Sequence, residues 1–416
     1  MPPESAPAVA DAVTTAYRRE WSAVVATTVR LTRDLELAED CAQEAFTSAL
    51  TQWAAHGIPD RPGAWLTTVA RNRALDTLRR TARSTRLLPL LVMDERPGDA
   101  DPAARAGTGV DDDRLRLILT CCHPALDRAA QVALTLRLVC GLSTSEVARA
   151  FLVPQPTMAA RITRAKKKIA LARIPFRIPD DDRLPERMDA VLQVVYLVFT
   201  TGHAAPSGAS AVRDDLTDTA LRLARLLHDL MPRDAQVSAM LALMLLTSAR
   251  RVTRVAATGE PVPLPEQERS RWDRAMIAEG SALVRRSLRE DPTRYGFEAA
   301  IAAVHAQAPE WESTDWAEIV GLYDLLAQQW PSPVVALNRA VAVGFRDGPE
   351  AGLQALAPLI ADPIAQVYPY VAAAHADLLR RAGRAEEARH AYRTAIGLTE
   401  NAAERAGLQR RLDALT

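Results

Sequence analysis

Residues Leu142–Ile169, LSTSEVARAFLVPQPTMAARITRAKKKI, constrain this chain more than any other stretch. Ser143 or Thr144 suits the cap of a first short helix, and Glu146 stands where a capping-box acid reaches back to Ser143. Val147, Ala148 and Phe151 give that helix an apolar stripe. Pro154 and Pro156 end it, since proline removes a donor and disfavours helix in the residue before it. Thr157 then caps or opens a second helix, with Met158, Ile162, Ala165 and Ile169 recurring on its inner face. Arg161, Arg164, Lys166, Lys167 and Lys168 crowd its outer side and end, and these three lysines are the only ones in the chain. The pattern is a helix-turn-helix. The N-terminal part of its second helix meets base edges and its basic end meets phosphate. An ordinary helical hairpin with a solvated basic end has the same local pattern, so the rest of the chain must decide.

A formal net charge of zero over 416 residues confines nucleic-acid binding to local patches. Alanine, leucine and arginine dominate and strand alternation is nearly absent, which predicts an all-α chain. Cys41, Cys121, Cys122 and Cys140 lack the spacing of a disulfide scaffold. Cys121-Cys122-His123 has no second cluster to close a zinc site, so no metal is expected. The first residues show no signal peptide, and no apolar run is long enough for a membrane span. A cytoplasmic protein is expected.

Residues 1–10 read as disordered. An amphipathic helix follows from Thr14 to about Arg33, with Tyr17, Trp21, Val24, Val25 and Val29 inward. The next helix carries its acids early, at Glu36, Glu39, Asp40 and Glu44, where they suit the helix dipole. A Gly/Pro loop, Gly57–Gly63, leads to a basic helix with Trp65, Arg71, Asn72, Arg73, Arg79, Arg80 and Arg83. Basic groups beside a loop and an aromatic suit strand-separated DNA. Trp65 as plain core and the arginines as a solvated face are the blander readings. Pro89–Asp113 is a Gly/Pro/Asp-rich linker, and Arg114–Cys122 and Ala129–Leu138 are apolar helices before the helix-turn-helix.

Ala38-Glu39-Asp40, Gln43-Glu44-Ala45-Phe46, Trp65-Leu66, Ala70-Arg71-Asn72 and Asp76-x-x-Arg79-Arg80 resemble region 2 of extracytoplasmic-function (sigma-70 family, group IV) sigma factors. Thr157-Met158 and Arg161-x-x-Arg164-Ala165 resemble their region 4; Ala159 stands where a polar or basic residue is usual. The resemblance covers about residues 12–172. It implies region 2 over 12–85, a linker over 86–112, and region 4 over 113–172. It also implies the partners: core RNA polymerase, through its β′ clamp and β flap, and promoter DNA. Asp40, Gln43 and Glu44 fall on the polymerase-docking part. Arg61, Trp65, Arg71, Asn72, Arg73, Arg79 and Arg80 fall on the −10 reader, and Thr157, Met158, Arg161, Arg164, Lys167 and Lys168 on the −35 reader.

Residues 187–416 form a helical extension. Met188–Phe199 is apolar all round, followed by Gly202-His203; Asp215–Asp229 and Asp234–Ser248 make a pair; Glu266–Leu288 reads as one long amphipathic helix. Near the end, Ala376, Gly383, Ala388, Tyr392 and Ala395 resemble a tetratricopeptide repeat, with a looser copy over Val334–Leu359. Such stacks offer a concave face to a protein partner. Single scattered histidines, with no phosphate loop and no nucleophile elbow, give no sign of an enzyme, a catalytic residue or a cofactor. The chain therefore reads as a sigma factor whose extension supports initiation, and cutting after Arg183 is expected to lower transcription. The alternative is a helix-turn-helix regulator with a tetratricopeptide sensor, which has no need of the residue 38–80 block.

Overall fold

The computed structural model describes residues 6–85, 113–151, 153–180, 183–203, 212–256, 261–362 and 368–415; the expected linker over 86–112 lies outside them. Helices make up the fold and the described residues include no strand, only an isolated bridge between Val255 and Pro261. The chain divides into unit 1, Met1–Val195, and unit 2, Tyr196–Thr416.

Unit 1 opens with α1 (Ala6–Thr32), α2 (Leu35–His56) and α3 (Pro62–Thr85), which pack on one another. Helix α1 begins about eight residues before the expected start. Val9, Val13 and Ala16 extend the inward stripe at helical spacing and are buried, so residues 6–10, expected to be disordered, are held by an apolar face; residues 1–5 lie outside the described residues. Asp34 caps α2 by accepting from Glu36 N and Leu37 N, and Gly57 ends it at φ 87°. Helix α4 (Asp113–Cys121) leads to α5 (Arg128–Leu134), which runs on into a π-helical turn over Thr135–Val139. Then come α6 (Thr144–Ala150) and α7 (Gln155–Leu171), the helix-turn-helix. The expected capping box is present: Ser143 Oγ accepts from Glu146 N at 3.2 Å and Glu146 Oε2 accepts from Ser143 N at 2.7 Å. Helix α7 starts two residues earlier than expected, because Pro156 takes a first-turn position where no donor is required.

Helix α8 (Leu184–His203) supplies residues to both units. In unit 1, Arg187 Nη2 donates to Leu119 O at 2.5 Å, and Arg128 donates to Ala190 O and Gln193 Oε1. A cut after Arg183 would therefore strip unit 1 of part of its own packing.

Unit 2 continues with α9 (Asp214–Leu230), α10 (Ala235–Ser248), α11 (Arg274–Glu290), α12 (Arg294–Gln307) and α13 (Trp316–Gln329). It ends with α14 (Pro333–Arg346), α15 (Pro349–Ala361), α16 (Pro369–Arg381), α17 (Ala385–Leu398) and α18 (Ala402–Asp413). From α9 on, each helix packs against the next in sequence. Helix α11 is shorter than expected. Asp273 caps it by accepting from Ala275 N and Met276 N, and Trp272 stays outside, donating Nε1–H to Thr253 Oγ1 at 2.9 Å. Small residues set the spacing of the last hairpins. A Cβ on Gly352 would lie 2.8 Å from the Gly344 Cα, so α14 and α15 approach backbone to backbone. Ala376, Ala388, Tyr392 and Ala395 are fully buried in the core of α14–α18.

Candidate nucleic-acid and polymerase interface

Helix α2 turns Leu35, Ala38, Cys41, Ala42, Ala45 and Phe46 inward, which leaves Asp40, Gln43 and Glu44 exposed together. These three line a shallow groove with Thr47, Ser48 and Arg73. Arg73, expected on the −10 reader, is exposed and faces Glu44 across 3.6 Å. Thr47 and Ser48 were not among the expected site residues, although the spacing 40, 44, 48 and 43, 47 on one helix face marks them. Burial lifts the Asp40 carboxyl above its ordinary value, and Lys166 opposes the shift.

On α3 the polar candidates Arg71, Asn72, Arg79 and Arg80 are exposed, as is Arg61 in the preceding loop. Among the described residues Arg79 meets only Asp76, at 3.7 Å, and Arg80 reaches only its own helix, at Asp76 O and Thr77 Oγ1. Both guanidinium groups thus stay available to phosphate. Trp65 is half-buried and packs edge-on against Trp53, with centroids 5.6 Å apart. One part of it is core and the other is open beside the basic face.

On α7, Thr157, Arg164, Lys167 and Lys168 are exposed. Arg161 is half-buried, its guanidinium 5.4 Å from the Phe151 ring centre, a contact that steers the fork. Met158 needs correction as a DNA-contact candidate: its side chain is fully buried. It lies on the same inward stripe as Ile162, Ala165 and Ile169, so it supports the reader from beneath.

The residue that organises unit 1 escaped sequence reasoning. Glu39 is 4% exposed and its carboxylate is held by Arg137 and, at 2.5 Å, by Lys166 Nζ. Gln43 Nε2 donates to the same carboxylate at 3.0 Å. Two further bonds join the first three helices to the segment before the helix-turn-helix: Tyr17 Oη donates to Gly141 O at 2.8 Å, and Trp21 Nε1 donates to Leu138 O at 3.1 Å. Gly141 has φ 73°, and a Cβ there would come within 3.0 Å of both rings. Helix α2 is therefore tied to α7 by a buried ion cluster. Nothing in the sequence marks Glu39 as the centre of a buried ion cluster, because its partners lie 98 and 127 residues away. Burial, more than any neighbouring charge, pushes the Tyr17 phenol up to about 12.

Among the described residues no His/Cys/Asp/Glu group is arranged to hold a metal ion, and no helix is long and apolar enough to cross a membrane. Cys121 and Cys122 are fully buried, and burial lifts both thiols above the ordinary value.

Residues 16–84 match the family described as Sigma-70 region 2, and residues 116–169 match Sigma-70 region 4. The two matches support a sigma-70 family factor. They support a sigma factor's role in promoter recognition, with core RNA polymerase and promoter DNA as partners. Sigma factor families are non-enzymatic DNA-binding regulators. Residues 187–288 match a family of unknown function, DUF6596. Uncharacterized protein R00370 of Rhizobium meliloti (strain 1021) is 44% identical over 392 residues, covering 93% of this chain and 92% of its own length. No solved structure matches the chain.

Proposed function

We propose that the chain is a cytoplasmic group IV, extracytoplasmic-function sigma factor with a tetratricopeptide-like extension. One observation carries this reading. An exposed acid and amide face on α2, an exposed basic face on α3 and a basic reader helix, α7, occur in that order in a chain matched by both sigma regions. Asp40, Gln43 and Glu44 dock on the β′ clamp. Arg61, Trp65, Arg71, Asn72, Arg79 and Arg80 melt and hold the −10 element. Thr157, Arg161 and Arg164 read the −35 element, with Lys167 and Lys168 on phosphate. The β flap receives region 4.

Promoter elements named −10 and −35 lie about 25 base pairs apart, roughly 85 Å of B-DNA at ~3.4 Å per base pair. Helices α2 and α7 touch, so the described form of unit 1 is a closed one that must open to engage both elements. Opening frees Lys166 from Glu39 and adds a cation to the reader. The extension is read as part of the initiation machinery. Its helical hairpins and the buried small residues at 376, 388 and 395 support the tetratricopeptide comparison, and a stack of this kind suits a protein partner.

The test is retention of core polymerase by immobilised full chain, compared with Asp40→Ala combined with Gln43→Ala. Both residues are exposed, Glu39 keeps Arg137 and Lys166 when Gln43 is lost, and circular dichroism is to show the fold intact; retention is then expected to fall. Unchanged retention would remove α2 from the docking surface. DNA binding that needs no polymerase at all would favour the helix-turn-helix regulator.

A further inference from the structure

Unit 2 contains a pocket that promoter recognition does not use. The end of α8, the start of α9 and the end of α10 enclose it, and His203, Asp214, Thr217, Ser248, Arg251 and Arg254 line it. The chain concentrates charge here, with arginines at 250, 251 and 254. Arg251 is neutralised by Asp218 at 2.6 Å. Arg254 is not. Its Nη1 donates to His203 O at 2.8 Å and meets His203 Nδ1 at 2.6 Å, both uncharged acceptors. Among the described residues no carboxylate lies within 4 Å of Arg254 or Arg250; Asp214 and Glu404 act on Arg254 only from further away. Burial and the nearby Arg250 hold Arg254 down to about 9, and burial and Arg269 hold Arg250 down to about 10.

Two donors converge on the same space. Ser248 is 2% exposed, and its Oγ has no hydrogen-bond partner. His203 stacks on Phe199 with centroids 5.6 Å apart. Its Nδ1 accepts from Arg254, which leaves the ring proton on Nε2 as a donor. Gly202 lets the end of α8 approach the start of α9 closely, since a Cβ there would lie 2.6 Å from Thr217 N. A largely buried guanidinium with no carboxylate within 4 Å and a buried hydroxyl without a partner each cost stability. One anionic group satisfies both.

We propose that this pocket binds a phosphate group, with Arg254, Ser248 and the His203 ring as donors and Asp214 as the single acceptor. Asp214 selects among oxyanions. Near neutral pH a phosphate group with a second pKa of about 6 retains one O–H in part of the population. That O–H donates to the Asp214 carboxylate. Sulfate and carboxylates carry no such proton and meet Asp214 as like charges. The pocket's volume, about 10 Å³, is that of one water or one ligand oxygen.

The test is calorimetric titration of the full chain near pH 6.5 with inorganic phosphate, glycerol 3-phosphate, sulfate and succinate. Saturable binding of phosphate is expected, about tenfold or more tighter than of sulfate or succinate. Tighter glycerol 3-phosphate identifies a phosphorylated small molecule as the source, and tighter inorganic phosphate identifies the free anion; either supports the site. Arg254→Gln is expected to weaken binding about tenfold, and Ser248→Ala about threefold. Asp214→Asn is expected to narrow the gap between phosphate and sulfate. If Arg254→Gln fails to fold by circular dichroism, Ser248→Ala and Asp214→Asn carry the test. No saturable uptake, equal binding of phosphate and sulfate by the unaltered chain, or unchanged affinity in the folded variants would overturn the proposal.

Discussion

The two units are held together by different physics. Unit 1 closes through packing of α1 on α4 together with a few polar and charged contacts between segments far apart in sequence: 117 residues for Trp21 to Leu138, 124 for Tyr17 to Gly141, and 127 for Lys166 to Glu39. Unit 2 is mainly a succession of neighbours, each helix buried against the next and α10 also against α12, with turns as short as Asp347-Gly348 and Ala382-Gly383-Arg384. Long-range polar closure is switchable, because water, phosphate or another protein can replace the same partners. Nearest-neighbour burial of alanine, glycine and leucine offers no such exchange. A factor that must reach two separated promoter elements needs the first kind of closure where it reads DNA.

The largest expected effect tests the closure of unit 1. Glu39→Ala leaves Arg137 and Lys166 buried without their counter-charge, and breaking a buried pair in this way costs about 3–5 kcal/mol. Hydrogen exchange of the α1, α2 and α7 amides at increasing denaturant, which reports unit 1 separately, reads the loss. A change below about 1 kcal/mol, the range of exposed pairs, would mean that the cluster does not close the unit.

Acidification tests unit 2. Burial first, then nearby arginines, hold His203 down to about 2 and His305 down to about 4. An unfolded histidine titrates near 6.5. Below that pH the unfolded chain binds protons that folded unit 2 refuses, so stability falls as pH drops from about 6.5 toward 4. The two groups together contribute on the order of 2–4 kcal/mol between pH 7 and pH 5. Thermal melting of the full chain across that range is expected to show the transition assigned to unit 2 moving down. A melting temperature that stays flat would remove these histidines from the buried neutral state.

A smaller effect separates reading from positioning on α7. Arg161→Ala is expected to lower discrimination at the upstream promoter element by about 1–3 kcal/mol, through loss of a bidentate contact to guanine. Lys167→Ala is expected to weaken all DNA alike and to flatten the salt dependence by about one phosphate. Titrations on promoter and random duplexes at several salt concentrations read both. Equal weakening of the two duplexes by Arg161→Ala would make it a phosphate contact.

Local rules carried most of the fold. The capping box at Ser143 and Glu146, the stripe Met158–Ile169 and the exposed set Asp40, Gln43, Glu44 all follow from helical periodicity within a few residues. The same stripe shows why Met158 cannot be both inner face and base contact. Helix α1 was misjudged at its start because Pro2, Pro3 and the small residues near them suggest disorder, whereas burial of Val9 and Val13 decides the outcome. Glu39 was illegible for a different reason. Early in a helix an acid needs no partner beyond the dipole, and only tertiary packing brings Arg137 and Lys166 to it. Arg254 and Ser248 were hidden likewise, since a lone arginine after an apolar helix looks solvated until its surroundings are known.

Run-off transcription with purified core polymerase, from a promoter selected by binding to the full chain, tests the central claim most directly. Core polymerase alone, core plus the full chain, and core plus residues 1–203, which retain all of α8, are compared at equal concentration after circular dichroism has shown the truncation folded. The account predicts specific transcripts only when the chain is added, and a strong reduction with residues 1–203. Higher output from the truncation would make the extension an inhibitor, and equal output a bystander. No transcript from core plus full chain, on a template that the chain itself binds tightly, would contradict the account and leave a DNA-binding regulator that acts without polymerase docking.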